Sequence, residues 1–253
     1  MDSGYRSPLV DFFRRGEVAP DVRLQAAQGV FAPRAHEQLA LLMLLSDDAD
    51  AMVAATARAT LDTLPAAALS AFLARGDVPA EMRAFFATRG VEPAPAGEEP
   101  GDAPLGTAEE ADRGPATTEA DPKILTALPV PRRIKLAMLG TREQRNQLIR
   151  DSNKLVAAAV LSSPKLTVTE VEAFARMTNV TEDVLRVIAV NRAWLKNYGV
   201  VVALTRNPKT PPALSMTLLT RLNEHDTKLL AGDRNVSEAV RLAARKLVAK
   251  GRT

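Results

Sequence analysis

The segment Arg234-Asn-Val-Ser-Glu-Ala-Val-Arg241 decides the fold, because close variants of it recur along the 253 residues. Each copy has a Val, three mostly polar or turn-forming residues, and then a Val, Met or Ile that opens an apolar helical face. The other copies are Gly16-Glu-Val-Ala-Pro-Asp-Val-Arg23, Gly76-Asp-Val-Pro-Ala-Glu-Met-Arg83, Leu128-Pro-Val-Pro-Arg-Arg-Ile-Lys135 and Thr178-Asn-Val-Thr-Glu-Asp-Val-Leu185. The steps between successive copies are 60, 52, 50 and 56 residues. Recurrence at this scale is typical of stacked helical repeats.

Composition supports an all-α fold. Apolar residues make up 46% of the chain and aromatic residues only 4%, which favours close helix–helix packing over sheets. Helices are predicted near 8–15, 20–28, 33–45, 48–62, 65–74 and 79–88, and residues 38–45 are apolar on nearly all sides, which indicates an enclosed helix. Further helix starts are indicated by capping-box spacing at Thr141 and Thr167 and by the N-cap candidates Thr181, Thr210 and Ser237.

Charge divides the chain into three parts. Residues 1–91 carry a net charge of −2, residues 92–122 carry −8, and residues 123–253 carry +13, from 23 Lys and Arg against 10 Asp and Glu. The acidic part is rich in Pro, Ala, Gly and Glu and holds a single Leu, too little apolar surface to offset the entropy of ordering. We therefore expect two HEAT-like helical modules (α-solenoid), at 1–90 and 123–253, joined by a disordered acidic linker at 91–122.

The sequence shows no pattern of a signal peptide or of a membrane-spanning helix. Its first residues lack a basic region followed by an apolar one, and its most apolar stretch, residues 39–45, is far shorter than the roughly 20 residues that span a bilayer. We expect a cytoplasmic protein with no membrane span.

One turn also carries a family resemblance. Asn207-Pro-Lys-Thr-Pro-Pro-Ala-Leu214, followed by Leu218, resembles the turn and helix of the leucine-rich repeat variant, a helical relative of HEAT and armadillo repeats. The resemblance is clearest over residues 200–248, although Ser215 stands where the family usually has Leu. It implies a right-handed stack of short helices with an extended surface, and it implies no reaction. The chain has no Cys, which excludes the cysteine-ligated iron–sulfur cluster that some members carry.

Signals for catalysis are few. His36 and His225 are the only histidines, and neither belongs to a metal-binding or hydrolytic spacing, so both are interpreted as surface or capping residues. There is no Gly-rich phosphate loop and no Gly-x-Ser-x-Gly elbow. We expect a non-enzyme with no cofactor and no metal site.

The basic part predicts a binding surface for an acidic partner, because equivalent helices of a solenoid line one face. The candidate partner-binding residues are Arg132, Arg133, Lys135, Arg142, Arg145, Arg150 and Lys154. The predicted function is a non-catalytic scaffold that binds an acidic protein. A second interpretation of the same charge is nucleic-acid binding through phosphate contacts.

Two segments bear on that alternative. Arg192, Trp194 and Lys196 place an aromatic ring among cations, which suits base stacking, although a single Trp in a helical protein is more often core. Residues 168–188 can also be interpreted as a DNA-reading helix-turn-helix with Asn179 at the turn, or as one more repeat. The acidic linker is either a solvated spacer or a segment that folds back onto the basic C-terminal module.

Overall fold

The structure, a computed structural model, describes residues 3–31, 34–95, 101–105 and 122–250. Within those ranges the chain forms sixteen α-helices and one 3-10 turn, and it contains no strand. The predicted all-α fold class is confirmed. The first eight helices are α1 (Pro8–Arg14), α2 (Pro20–Ala27), α3 (Ala35–Leu45), α4 (Ala51–Thr63), α5 (Ala66–Leu73), α6 (Ala80–Ala87), α7 (Pro122–Ala127) and α8 (Val130–Leu139).

The remaining helices are similarly short. They are α9 (Arg142–Leu148), α10 (Lys154–Leu161), α11 (Val168–Arg176), α12 (Glu182–Val190), α13 (Tyr198–Arg206), α14 (Pro212–Leu219), α15 (Glu224–Gly232) and α16 (Glu238–Lys250), with the 3-10 turn at Trp194–Lys196. No helix in the described ranges combines the length and the apolarity that crossing a membrane requires.

The chain divides into two compact units. Unit 1 holds Met1–Arg145 and Ala158–Lys165, and unit 2 holds Asn146–Ala157 and Leu166–Thr253. Unit 1 includes helices from both sides of the acidic segment, since α8, which follows that segment, contacts α2, which precedes it. These two units are defined by which helices pack together. The predicted division at residues 90 and 123 is based on composition, and it stays a prediction.

Helix α3 is the centre of unit 1. It contacts α1, α2 and α4, and ten of its eleven residues are buried, including Leu39, Leu42 and Met43 at 0% exposure. The prediction of an enclosed helix, made from the apolar run at residues 38–45, is confirmed. The six helices predicted before the acidic segment are all present, with bounds that differ by at most a few residues. Helices α1 and α2 begin where predicted, at Pro8 and Pro20, since Pro is favoured at the first helical position.

The recurring valine marks the same local structure in four of its five copies. Val18, Val78, Val180 and Val236 each lie just before the N-cap of a helix, and each is at most 6% exposed. The second apolar residue of each copy lies one turn inside the helix and is buried as well, so the pair fixes the entry of the chain much as a hydrophobic staple does. Val130 departs from the pattern because it is the first residue of α8 and is only half-buried.

Helix starts were predicted with mixed success. Both capping boxes are present, at Thr141 with Gln144 and at Thr167 with Glu170. The hydroxyls of Thr181, Thr210 and Ser237 make no hydrogen bond to any residue that the structure describes, so their predicted side-chain caps are not formed there. Before α14 the N-cap position belongs to Pro211, because Pro212 opens the helix.

In unit 2 a helix packs on the helix two positions away along the chain. Helix α13 contacts α11 and α15, and α14 contacts α16. The core between α14, α15 and α16 is formed by Leu219, Leu230, Val236, Val240 and Ala244. These contacts place the turns that follow α11 and α13, and the turn that precedes α16, near one another.

The acidic segment contacts the helices of unit 1 at the residues that the structure describes. The Ser70 hydroxyl donates to the Glu92 carbonyl, and the amide of Ala94 donates to the Ser70 carbonyl at 2.9 Å. Residues 101–105 lie against α3, where the buried side chain of Gln38 bonds to the Leu105 backbone. Composition could not reveal these contacts at 91–95 and 101–105, and the disorder of the linker stays a prediction; residues 96–100 and 106–121 lie outside the described part of the chain.

Candidate functional site

The seven predicted partner-binding residues are divided between the two units. Unit 1 holds Arg132, Arg133, Lys135, Arg142 and Arg145, and unit 2 holds Arg150 and Lys154. Arg142 and Arg150 are exposed, and the first three are half-buried. Lys154 forms an ion pair with Asp183 at 2.8 Å. The binding role of the exposed members stays a prediction.

Arg145 is used inside the fold. Its side chain is buried, with the residue 4% exposed, and its guanidinium donates to the carbonyls of Gly140 at 3.0 Å and Lys165 at 3.3 Å. Helical spacing placed Arg145 with Arg142 on a predicted basic face, but it could not show that two carbonyls converge on this side chain. We therefore remove Arg145 from the exposed set and assign it to stability.

Arg145→Ala is expected to lower the free energy of unfolding by about 2 kcal/mol, because the two carbonyls lose a charged donor inside the fold. Arg142→Ala, on the exposed side of the same helix, is expected to change it by less than about 0.5 kcal/mol. Urea titrations followed by circular dichroism measure both. Equal effects of the two substitutions would contradict the structural role of Arg145.

The second candidate group lies around the 3-10 turn. Arg192 and Lys196 are exposed, while Trp194 is half-buried and Leu195 is the residue that enters the core, at 8% exposure. The interpretation of Trp194 as a core residue is therefore only partly right. Nearby Tyr198 is 42% exposed, but its hydroxyl donates to Asp226 at 2.6 Å and accepts from the amide of Asn223.

Residues 168–188 form α11, a short turn and α12, as both interpretations of this segment required. A helix-turn-helix commonly has a left-handed residue at its turn, and Asn179 does not adopt that conformation, since no described residue other than Gly has a positive φ. At the start of α12, Glu182 pairs with Arg186 at 2.6 Å and Asp183 pairs with Lys154. These carboxylates would face the phosphates in a DNA complex, and the DNA-reading role stays a prediction.

His36 is buried, and its interpretation as a surface residue is wrong; His225 is exposed as expected. The His36 ring stacks on Tyr5 with centroids 5.5 Å apart and meets Phe72 edge-on at 4.7 Å. Its Nδ1 lies 2.8 Å from Oδ1 of Asp102, a residue 66 positions away in the chain. This pairing could not be predicted from the sequence, because the partner comes from the acidic segment 66 positions away.

Glu37 is enclosed beside His36. It is 1% exposed, and the Ser7 hydroxyl donates to it. Burial raises the pKa of Glu37 to about 7, against the opposing effects of the Ser7 hydrogen bond and the Arg34 charge. Burial, with a further contribution from the charge of Glu37, also raises the pKa of Tyr5 to about 12. Ser7 and Glu37 are both shielded from solvent. We therefore expect the pair to affect the stability of the fold and the dependence of that stability on pH, and not to bind a ligand.

Unit 2 contains a groove where three of its turns meet, which we call the turn groove. Its volume is about 780 Å³, and it is lined by Arg176, Thr178, Val202, Ala203, Arg206, Asn207, Pro208 and Asn235. The turns that follow α11 and α13 and the turn that precedes α16 all contribute. A groove of this size matches the range of ligand sites in proteins.

Asn207 fastens two of these turns together. It is 5% exposed, and its side-chain nitrogen donates to the carbonyls of Ala175 and Met177 at 2.8 Å each. Its oxygen accepts from the amide of Lys209 at 2.9 Å. The side-chain amide is therefore fully used in holding the wall of the groove.

The other polar groups of the turn groove are donors available to a ligand. Arg176 and Arg206 each use one guanidinium nitrogen on a carboxylate, of Glu172 and Asp226 respectively. The side chains of Thr178 and Asn235 make no hydrogen bond with the described residues. No Asp or Glu is among the lining residues. The arrangement favours a ligand that accepts hydrogen bonds and carries negative charge.

Sequence reasoning did not single out the turn groove. Asn207, Asn235 and Thr178 all belong to the recurring turn segments, which were interpreted as structural marks of the repeat. These three turns come together because α13 packs on α11 and α15, so the recurrence of the turn segments was the one signal in the sequence for the groove.

The described residues contain no cluster of three or more His, Asp and Glu side chains that could hold a metal ion. Comparison of the chain with protein-family models, with curated proteins and with solved structures finds no match.

Proposed function

We propose that this chain is a non-catalytic helical interaction protein that binds an acidic segment of a partner protein in the turn groove. The observation that carries the proposal is the lining itself, which has no Asp or Glu and offers two guanidinium groups and further donors around Val202 and Ala203. Each guanidinium uses one nitrogen on Glu172 or Asp226 and keeps the others for a ligand. An extended peptide presents both backbone carbonyls and acidic side chains to such a lining. Arg is the residue best suited to recognise a carboxylate, because its planar group can donate twice.

The packing of unit 2 supports a repeat stack as the scaffold. Helices α11, α13 and α15 follow one another in contact, and α14 contacts α16, which is the neighbour-to-neighbour pattern of a helical solenoid. In such a stack the turns lie along one edge, and a ligand contacts several repeats at once. The repeat architecture is thus part of the proposal.

The charge of the C-terminal half supports an acidic partner. Residues 123–253 carry +13, and the exposed residues Arg150, Arg192 and Lys196 lie in unit 2 with the turn groove. Such an excess raises the rate of association with an anionic partner and makes it sensitive to salt. The predicted basic residues would then steer the partner, while the groove holds it.

The test compares two arginines in matched settings. Arg176 lines the groove and Arg186 does not, yet both are exposed and both pair with a Glu four residues earlier, Glu172 and Glu182. A fluorescent hexaglutamate peptide, titrated at low salt, is expected to bind Arg176→Glu about tenfold more weakly than the unchanged protein. Arg186→Glu is expected to bind it as the unchanged protein does.

Two controls make the test decisive. A hexaglutamine peptide measures binding without charge, and oligo-dT measures binding to a nucleic acid. Equal loss in the Arg176 and Arg186 variants would contradict the groove as the docking site. Tighter binding of oligo-dT than of hexaglutamate, with a steep dependence on salt, would contradict a protein partner and favour the nucleic-acid alternative.

A further inference from the structure

Residues 101–105, which we call the strap, lie at the start of α3 without secondary structure of their own. The amide of Ala35 donates to the Asp102 carbonyl at 3.1 Å, and the amide of His36 donates to the Asp102 carboxylate at 3.2 Å. The same carboxylate oxygen lies 2.8 Å from Nδ1 of His36. Because a carboxylate only accepts, this nitrogen carries the proton. One acidic residue therefore receives three hydrogen bonds through its carbonyl and side chain.

The other end of the strap is held by a buried amide. The side-chain nitrogen of Gln38 donates to the Leu105 carbonyl at 2.8 Å, and its oxygen accepts from the Leu105 amide at 2.7 Å. Gln38 is 2% exposed and Leu105 is 9% exposed. This two-way pairing gives a peptide group the partners that a neighbouring β-strand would give it. Without the strap, both polar atoms of a buried Gln would lose these bonds.

The contacts select particular positions of the strap. Asp102 and Leu105 are bound, whereas Ala103 between them is exposed and Pro104 is half-buried without a hydrogen bond to α3. Recognition therefore falls on the first and fourth residues of Asp102-Ala-Pro-Leu105. The acidic residue meets the positive end of a helix of eleven residues, and the apolar residue enters the core.

We propose that the start of α3 is a binding slot for an extended Asp-x-x-Leu segment, and that the strap of the same chain is its occupant. This slot is separate from the turn groove, because all of its residues belong to unit 1. Tethering gives the strap a high effective concentration, so a free peptide of the same sequence competes poorly while the strap is intact. A partner protein with such a segment would have to displace it.

The first experiment vacates the slot in the full chain. In the double variant Asp102→Ala with Leu105→Ala, a labelled Gly-Asp-Ala-Pro-Leu-Gly peptide is expected to bind at least about tenfold more tightly than in the unchanged protein. Peptides with Ala in place of Asp or Leu, and a vacated chain that also carries Gln38→Ala, are expected to lose this binding. Equal binding to the vacated and the unchanged chain would overturn the proposal, as would equal binding of the Ala peptides.

A second measurement does not depend on the vacated chain folding. The protein has no Cys, so a spin label at Ala103→Cys reports on the strap alone. The label is expected to show restricted motion in the otherwise unchanged chain and fast motion when Gln38→Ala is added. Arg58→Ala, at an exposed residue of α4, serves as the control and should leave the motion unchanged. Fast motion in the chain that keeps Gln38 would overturn the proposal.

Discussion

Glu37→Gln is expected to raise the free energy of unfolding at pH 8 by about 3 kcal/mol. The folded protein holds the pKa of Glu37 at about 7 because the carboxyl is buried, whereas the ordinary value is 4.5. Between these two values the folded state keeps a proton that the unfolded state has released. Stability contributed at this site therefore falls as the pH rises from about 4.5 to about 7, and the full penalty remains above that range.

The groups that face Glu37 support this sign. The Ser7 hydroxyl and the Arg34 charge favour the ionised form, and the Asp102 charge opposes it, but burial outweighs them all. An amide at position 37 has the same shape, still accepts from Ser7, and never ionises. The gain from Glu37→Gln should therefore vanish near pH 4.5 and grow with pH.

Urea titrations at pH 4.5, 6 and 8 measure the prediction, and hydrogen exchange in α1 and α3 localises it to unit 1. Glu17→Gln, at an exposed carboxyl, is the control and should leave the slope of stability against pH unchanged. If the unchanged protein and Glu37→Gln gave parallel curves, burial of Glu37 would not govern the pH response.

Asn207→Asp is expected to destabilise unit 2 by about 3–5 kcal/mol, although the two side chains have nearly the same shape. The substitution removes both donors to the Ala175 and Met177 carbonyls and sets a buried carboxylate against them. Asn191→Asp is the matched control. The Asn191 oxygen accepts from the amides of Ala193 and Trp194, and a carboxylate accepts equally well.

The single Trp makes this comparison direct, since Trp194 lies in unit 2 and its fluorescence follows the unfolding of that unit. A loss below about 1 kcal/mol in Asn207→Asp would show that Asn207 does not hold the turns together. A similar large loss in Asn191→Asp would point instead to a general cost of negative charge at these turns.

Local structure was largely readable from the sequence. Helix starts follow from Pro at first helical positions, from the capping boxes at Thr141 and Thr167, and from the recurring valine, all of which act within a few residues. Even the enclosure of α3 followed from its apolar run. The predicted side-chain caps at Thr181, Thr210 and Ser237 were wrong, because a hydroxyl at the N-cap position need not orient toward the backbone amides of the helix.

The sites were not readable, because they depend on partners that are distant in sequence. The strap comes from a segment whose composition predicts disorder, yet Gln38 and His36 give it bonds inside the fold. Helical spacing predicts that Arg145 lies on a basic face, but its side chain is buried and donates to two backbone carbonyls. The turn groove gathers three turns that no single stretch of sequence brings together.

The most direct test of the docking role of unit 2 is a nuclear magnetic resonance titration of the full chain with hexaglutamate. The side-chain amide of Asn235 and the backbone amide of Thr178 should shift with peptide concentration, and α12 around Arg186 should not. Shifts confined to residues outside the turn groove, or no shifts at concentrations where the fluorescent peptide binds, would contradict the account.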